Sequence, residues 1–337
     1  MRFDRTLASA LLCAVYLSLI CLCLSCPQTV LAEGADDLLT EDVLLPDTAD
    51  FPELNASGFL DEGEFIYQDD AAGIWRYCSE TLRIAIDRRT SDKPKLMWYE
   101  AEIWAAKGEL FHMIAHNPAS RMKSLQYPYR IAREHQTVFA LNGDFAHMRI
   151  SKKMKVGILL RDGQILSSRT YAHNKGPFPN LDNLALYPDG RMEVAWSDEH
   201  TAQEYADMGA TDVLAFGPVL VRNGEMNSAA LKKYASSKAQ RVGIGMVEPG
   251  HYIAVLAEGR TKDAKGTDIA WLADKMRELG CVSAFNLDGG QSACMVFLGK
   301  QINQDLNKLG NRASARKAAE ILGIGTSQAV ADENDPF

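Results

Sequence analysis

The sequence predicts an α+β fold, a single domain of mixed, largely antiparallel sheet with packed helices, over about residues 76–326. Short apolar runs with period-two alternation recur through that span. Several are joined by Asp162-Gly163, Asp189-Gly190 or Asn223-Gly224, pairs that accept the positive φ of tight hairpin turns. Helical spacing is confined to a few stretches, the clearest at residues 267–280.

Two segments of different character precede this domain. Residues 1–32 combine a basic start (Arg2, Arg5), an apolar stretch over about 7–24 and the small-residue site Val30-Leu31-Ala32, the pattern of a signal peptide. The apolar stretch is long, so an uncleaved membrane anchor is the alternative. Either way the bulk of the chain is expected outside the cytoplasm, secreted or associated with the cell envelope. Residues 33–75 read as an acidic linker, because 33–70 carries 13 acidic residues and no Lys or Arg. Residues 327–337 read as a flexible tail.

The net charge of −8 comes from the leader side. Residues 1–75 hold 14 of the 44 acidic residues and only Arg2 and Arg5 of the 36 basic ones, leaving 30 acidic and 34 basic residues, a net of +4, in the body. A mildly basic body suits a small anionic substrate, and no basic run points to nucleic acid. Four of the seven cysteines lie in the leader. The remaining three, Cys78, Cys281 and Cys294, are an odd number that argues against a disulfide framework; Cys281 and Cys294 either pair or are buried as small apolar residues.

Within the domain, Leu82, Ile84 and Ile86 alternate with polar or small residues, and 96–104 and 110–115 continue a meander of strands. Residues 124–135 have helical spacing, with Pro128 near the start. Residues 137–141 form a buried strand ending in Asn142-Gly143-Asp144-Phe145. Strands follow at 156–160, 184–187 and 213–221, with short helices at 200–208 and 228–234. Further strands are expected from Arg241 to Gly245 and over 251–257, the latter ending at Glu258-Gly259-Arg260. Thr267 is positioned to cap an amphipathic helix whose Ile269, Leu272, Ala273, Met276 and Leu279 share one face, with Gly280 ending it. Residues 311–324 read as a short basic segment followed by an apolar strand or helix.

The stretch around which the chain is organised is Asn286-Leu287-Asp288-Gly289-Gly290-Gln291-Ser292, flanked by apolar runs at 282–285 and 293–298. It reads as a strand, a tight Asp-Gly-Gly turn and a second strand, that is, a β-hairpin. Strand ends then gather Asn142, Asp144, Arg241, Glu258, Arg260, Asn286 and Asp288. Two or three carboxylates beside arginines are what hydrolysis of an anionic glycoside requires: one carboxylate as nucleophile or base, another as acid, and a guanidinium gripping phosphate through paired hydrogen bonds. His112 and His116 are four apart, but in strand and loop, and no zinc spacing, phosphate loop or Gly-x-Ser-x-Gly elbow is present. Neither a metal nor a cofactor is expected.

Phe285-Asn286-Leu287-Asp288-Gly289-Gly290-Gln291-Ser292 resembles the Asn-Leu-Asp-Gly-Gly-x-Ser signature of the phosphodiester glycosidase family. Further segments match that family in order over about residues 135–325: Asn142 to Phe145, Gly157 to Gly163, Gly217 to Gly224, Arg241 to Gly245, Gly259-Arg260 and Gly266-Thr267. One departure is Glu258, where the family commonly has Asp before Gly-Arg. The resemblance implies hydrolysis of the bond between a sugar's anomeric carbon and a phosphodiester, acting on a glycan or sugar-1-phosphodiester. Chemistry and motif position together nominate Asp288 as the first catalytic carboxylate, with Glu258 and Asp144 beside it. Arg241 and Arg260 are nominated for the phosphate. Asn142, Asn286, Thr267 and Ser292 are nominated for the substrate, and Gly289 and Gly290 for their backbone N–H groups. The alternatives are a non-catalytic glycan-binding module in exopolysaccharide or wall assembly, and a metal-dependent phosphodiesterase.

Overall fold

The computed structural model describes residues 51–120, 124–145, 149, 157–169, 181–228, 231, 238–303 and 316–331. The expected leader, the first part of the acidic segment, His147, His173, most of the helix expected at 228–234 and the tail beyond 331 lie outside the described residues.

The chain first forms β1 (Phe65–Asp69), β2 (Ile74–Cys78), β3 (Leu82–Asp92), β4 (Lys95–Ala105) and β5 (His112–Ala115), then helix α1 (Pro128–Glu134) and β6 (Thr137–Asn142). There follow β7 (Leu159–Arg161), β8 (Gln164–Ser167), β9 (Asp182–Leu186), β10 (Met192–Ala195), α2 (Ala202–Asp207), β11 (Asp212–Phe216), β12 (Val219–Arg222) and β13 (Glu225–Met226). The last group is β14 (Arg241–Glu248), β15 (His251–Ala257), α3 (Ile269–Glu278), β16 (Ser283–Asn286), β17 (Met295–Phe297), β18 (Lys300–Gln301) and β19 (Glu320–Thr326).

These strands build a nine-stranded sheet, ordered β1-β2-β3-β4-β15-β14-β16-β12-β13, and two five-stranded sheets, β10-β9-β11-β7-β8 and β18-β17-β6-β19-β5. Every strand pairing among the described residues is antiparallel. One face of the large sheet, with Ile84, Tyr99, Val242, Ile244, Leu256 and Phe285, shares a core with Phe139, Leu141, Met295 and Leu322 of one small sheet and Leu184 and Leu214 of the other. The opposite face of each sheet takes one helix. Leu272 and Met276 of α3 pack on Ile253 and Val255, Tyr205 of α2 on Val213, and Ile131 of α1 on Ala140 and Ile321. On the α3 side a Cβ at Gly245 would stand 2.6 Å from the Ser283 carbonyl and 2.9 Å from Met276 Cε, so the bare backbone is what lets the helix lie this close.

The fold is more β-rich than packed helices on a sheet suggested: the described helices have 7, 6 and 10 residues, each a single patch on a sheet. Several local expectations are also corrected. The run at 213–221 is two strands in two sheets. It breaks at Gly217, where φ is +78°, and at Pro218, which has no N–H to continue a ladder. The α3 N-cap is Asp268, whose side chain accepts from Trp271 N at 3.0 Å; Thr267 instead exchanges both backbone hydrogen bonds with Ala239 at 3.0 Å. The large sheet begins inside the stretch whose acidity suggested a linker. There β1 pairs with β2 along its whole length, Glu64 accepts from Tyr77 at 2.7 Å and Ser327 at 2.6 Å, and Phe51 lies against Phe65. The acidic residues on either side of β1 hid a half-buried apolar pair, Phe65 and Ile66, that pairs with β2.

The largest correction concerns the Asp-Gly-Gly stretch. It does not close a hairpin. β16 pairs with β12 and β14 in the large sheet, whereas β17 pairs with β6 and β18 in a small one. Residues 287–294 therefore cross from one sheet to another. None of the described residues forms a helix long and apolar enough to cross a membrane. None of Cys78, Cys281 and Cys294 is in a disulfide, and all three are buried.

Candidate active site

The crossover is fixed at both ends by backbone and asparagine contacts. Leu287 is buried, and its N–H donates to Val242 O at 3.0 Å, extending the β14 ladder one residue past β16. Gly289 then passes so near β14 that a Cβ there would lie 2.6 Å from Gln240 O. Gly290, at φ +62°, donates its N–H to the same carbonyl at 2.9 Å. Residues Gly290–Ser292 make one 3-10 turn. On the far side, Asn142 at the end of β6 donates through Nδ2 to Asp288 O at 3.0 Å and accepts from Cys294 N at 3.1 Å. Asn303 repeats the device, donating to Ala293 O at 3.1 Å and accepting from Met295 N at 2.8 Å. Asn142 is thus a staple that ties the two limbs of the crossover, with its amide engaged by backbone groups.

Asn142, Asp144, Asp288, Ser292, Arg316, Lys317 and Ala318 line a small, solvent-open depression. Burial pushes the Asp288 carboxyl up to about 6 from the ordinary 3.8; a hydrogen bond from Ser292 and the Arg316 charge oppose this, and the Asp144 charge adds to it. Asp144 is itself gripped by Arg149 in a two-point contact, with Nη2 to Oδ1 at 3.0 Å and a second, shorter bond from Nε to Oδ2. Beneath this pair, Arg161 meets Glu320 through Nε to Oε2 at 3.0 Å and a shorter Nη2 contact. Burial raises the Glu320 carboxyl, and the Arg161 charge opposes that rise. Gly143 lies directly on Glu320: a Cβ there would sit 3.0 Å from Glu320 Cγ.

A second cationic group borders the same turn. Arg260, a non-glycine residue held at φ +60°, brings Nη1 to 3.4 Å from where a Gly290 Cβ would be. Such a backbone costs of order 1 kcal/mol or more and persists only when its surroundings demand it. Arg241 has its Cδ 3.8 Å from the corresponding point on Gly289, and its Nε donates to Thr267 O at 3.4 Å. Burial, and then the charge of Arg260, push the Arg241 guanidinium below its usual range. Two neighbouring cations, one of them partly buried, make this side of the turn electropositive.

Asn142, Asp144, Asp288 and Ser292 thus come together in the pocket, whereas Arg241, Arg260, Thr267, Gly289 and Gly290 gather behind its turn and are not among the lining residues. Three nominated residues have surroundings different from those expected. Glu258, only 1% exposed, is not among the pocket-lining residues, and its charge bears on the buried Tyr99 hydroxyl. Asn286, also 1% exposed, donates to Gly217 O at 2.8 Å, away from solvent. The Gly290 N–H is already bonded, as described above, so it is not open to a ligand. Sequence reasoning missed Arg149, Arg161, Arg316, Lys317 and Glu320. Of these, only Arg316 and Lys317 left a signal, the short basic segment before β19. His112 faces Asp212 at 3.5 Å and His116 faces Glu134 at 2.7 Å, so the two histidines do not converge. Among the described residues no group of three or more His, Cys, Asp or Glu is arranged to hold a metal ion.

Residues 135–325, which contain β6 through most of β19 and nearly all of this site, match the model of the phosphodiester glycosidase family (NAGPA), and the chain belongs to that family. Its fold is similar to that of the zebrafish N-acetylglucosamine-1-phosphodiester alpha-N-acetylglucosaminidase catalytic domain, auto-inhibited by its pro-peptide. That similarity has a TM-score of 0.55 at 15% identity, over 79% of this chain and 88% of that one. At this identity the likeness is one of fold. A protein from Synechocystis aligns with a TM-score of 0.46 at 13% identity, over 73% of this chain and 62% of that one. In sequence, the chain is 26% identical over 150 residues to the SPbeta prophage-derived uncharacterized protein YomE of Bacillus subtilis, which spans 44% of this chain and only 23% of that protein.

Proposed function

We propose that this protein is a phosphodiester glycosidase working outside the cytoplasm, which hydrolyses the sugar C1–O bond of a glycan-1-phosphodiester and releases free sugar and a phosphate monoester. The observation that carries the reading is Asp288: a carboxyl raised to about 6 in a pocket, on a glycine turn bordered by Arg241 and Arg260. Asp288 is the reacting carboxylate, ionised at neutral pH and aimed at positive charge developing on the anomeric carbon. Arg241 and Arg260 hold the phosphate, and Arg241 is desolvated enough to reward an anion. The departing phosphate monoester has a second pKa of about 6, so it leaves without a strong general acid. Asp144, held by Arg149, lies beside Asp288 in the same pocket. Glu258 and Asn286, buried and outside the pocket lining, take no part in contacting substrate in this reading. Export is read from the basic-apolar-small pattern of residues 1–32.

The test is turnover of a panel of sugar-1-phosphodiesters in oxygen-18 water, with and without chelator. The expected result is label in the sugar and none in the phosphate. Label in the phosphate would instead mean P–O cleavage, and its loss on chelation a metal-dependent phosphodiesterase. Saturable binding with no turnover of any member would indicate a glycan-binding module.

A further inference from the structure

Ser292 lies between two groups with opposite hydrogen-bonding demands. Arg316 Nη1 donates to Ser292 Oγ at 2.9 Å, and Nη2 approaches Gln291 Oε1 at 3.4 Å. Ser292 and Asp288 line the same depression, and the Ser292 hydroxyl is the foremost influence holding the Asp288 carboxyl down against its burial. A hydroxyl has one proton to give and lone pairs to receive, whereas a guanidinium only donates. Arg316 therefore fills an acceptor position of Oγ and leaves the proton of Ser292 to the carboxylate. The arginine is itself held in place. Two residues on, Ala318 exchanges backbone hydrogen bonds with Gln126 at 2.8 and 2.9 Å, and the intervening Lys317 ammonium lies 5.2 Å from the centre of the Tyr127 ring.

We propose that Arg316 is a positioning residue for Asp288: it orients the Ser292 hydroxyl as a donor to the carboxylate and pins the turn that carries it. The relay deepens the phosphodiester glycosidase reading and takes its catalytic meaning from it. The groups facing Asp288 are Asp144 with its Arg149 clamp from the loop after β6, Arg316 and Lys317 from the segment before β19, and Ser292 from its own turn. Arg241 and Arg260 stand behind Gly289 and Gly290. Of these, the Arg316–Ser292 pair favours the ionised carboxylate that burial and Asp144 disfavour. Ionisation near neutral pH is what the proposed chemistry requires of it.

The test follows Asp288 directly, by carboxyl carbon-13 NMR titration of the full chain, its resonance identified by loss in Asp288→Asn. In Arg316→Gln the midpoint is expected to move upward by about one pH unit, the scale of a neighbouring cation. Ser292→Ala is expected to move it upward as well. The double variant should shift less than the two single shifts combined, because part of the arginine's effect passes through the hydroxyl. Arg316→Lys should recover part of the shift. In a turnover assay the acid limb of kcat should move the same way. An unmoved midpoint in folded Arg316→Gln, or strictly additive shifts, would overturn the relay. Should Arg316→Gln not fold, Ser292→Ala decides alone, and an unmoved midpoint there overturns it too. If no phosphodiester is turned over yet the midpoints move as described, the relay stands and the glycosidase reading fails.

Discussion

Replacing Asp288 by Asn should make the protein more stable at neutral pH while disabling it. Burial pushes the carboxyl up to about 6 in the fold, from the ordinary 3.8. Between those values the folded chain binds more protons than the unfolded one, so stability falls as pH rises through the window. A gap of about 2 pH units corresponds to about 3 kcal/mol, and partial exposure of Asp288 to solvent reduces this to about 1–3 kcal/mol. Asn has nearly the same shape and can still accept from Ser292, but carries no charge to desolvate. Asp288→Asn should therefore melt a few degrees higher at pH 7.5, on the scale of about 2–4 °C per kcal/mol for a domain of this size. The advantage should vanish near pH 4, where the native carboxyl is protonated. Turnover of a sugar-1-phosphodiester should fall at least about a hundredfold from loss of electrostatic stabilisation. Calorimetry of both proteins at the two pH values checks the first part, and steady-state kinetics the second. Equal melting at pH 7.5, or a gain that is the same at pH 4, would refute the reasoning that burial strains this carboxylate.

Gly289→Ala should push the crossover off β14, because the added methyl would lie 2.6 Å from the Gln240 carbonyl; a cost of about 1–3 kcal/mol and a marked loss of turnover are expected, measured by melting and kinetics. A chain beginning at Ala71 should fold less stably than one beginning at Phe51, since it lacks β1 and the Glu64 contacts to Tyr77 and Ser327. Identical urea midpoints for the two would show that this segment is dispensable.

Strand positions were largely legible, because alternation of apolar residues reports which face is buried. Residues 251–257 form a strand with those bounds, and the spacing of Ile269, Leu272, Ala273 and Met276 marks the buried face of α3. Alternation does not report partners. The two limbs around Asp288-Gly289-Gly290 look like a hairpin because nothing local distinguishes a turn within one sheet from a passage between two. The run at 213–221 misled for the same reason. At the site, Asp144, Asp288 and Ser292 were legible through their motifs, as were Arg241 and Arg260 at strand ends. Glu258 was not, since the residue after a strand can face either inward or to the pocket. Arg149, Arg161 and Glu320 were hidden because burial of a charge depends on a partner distant in sequence: Arg161 and Glu320 are 159 residues apart.

The passage of residues 287–294 between sheets bears on whether this site can be transplanted. A hairpin tip is a self-contained module, and its residues keep their mutual geometry on any scaffold that offers two adjacent strands. Here the coordinates of Asp288 are set by β14 on one side, through Leu287 and Gly290, and by β6 on the other, through Asn142. The signature sequence is thus a tether whose shape is dictated by the gap it spans. Grafted alone, it would carry the residues without the spacing. A designer would have to move β6, β14, β16 and β17 together, and insertions between Leu287 and Cys294 should be tolerated far less well than in the Asp-Gly turns elsewhere.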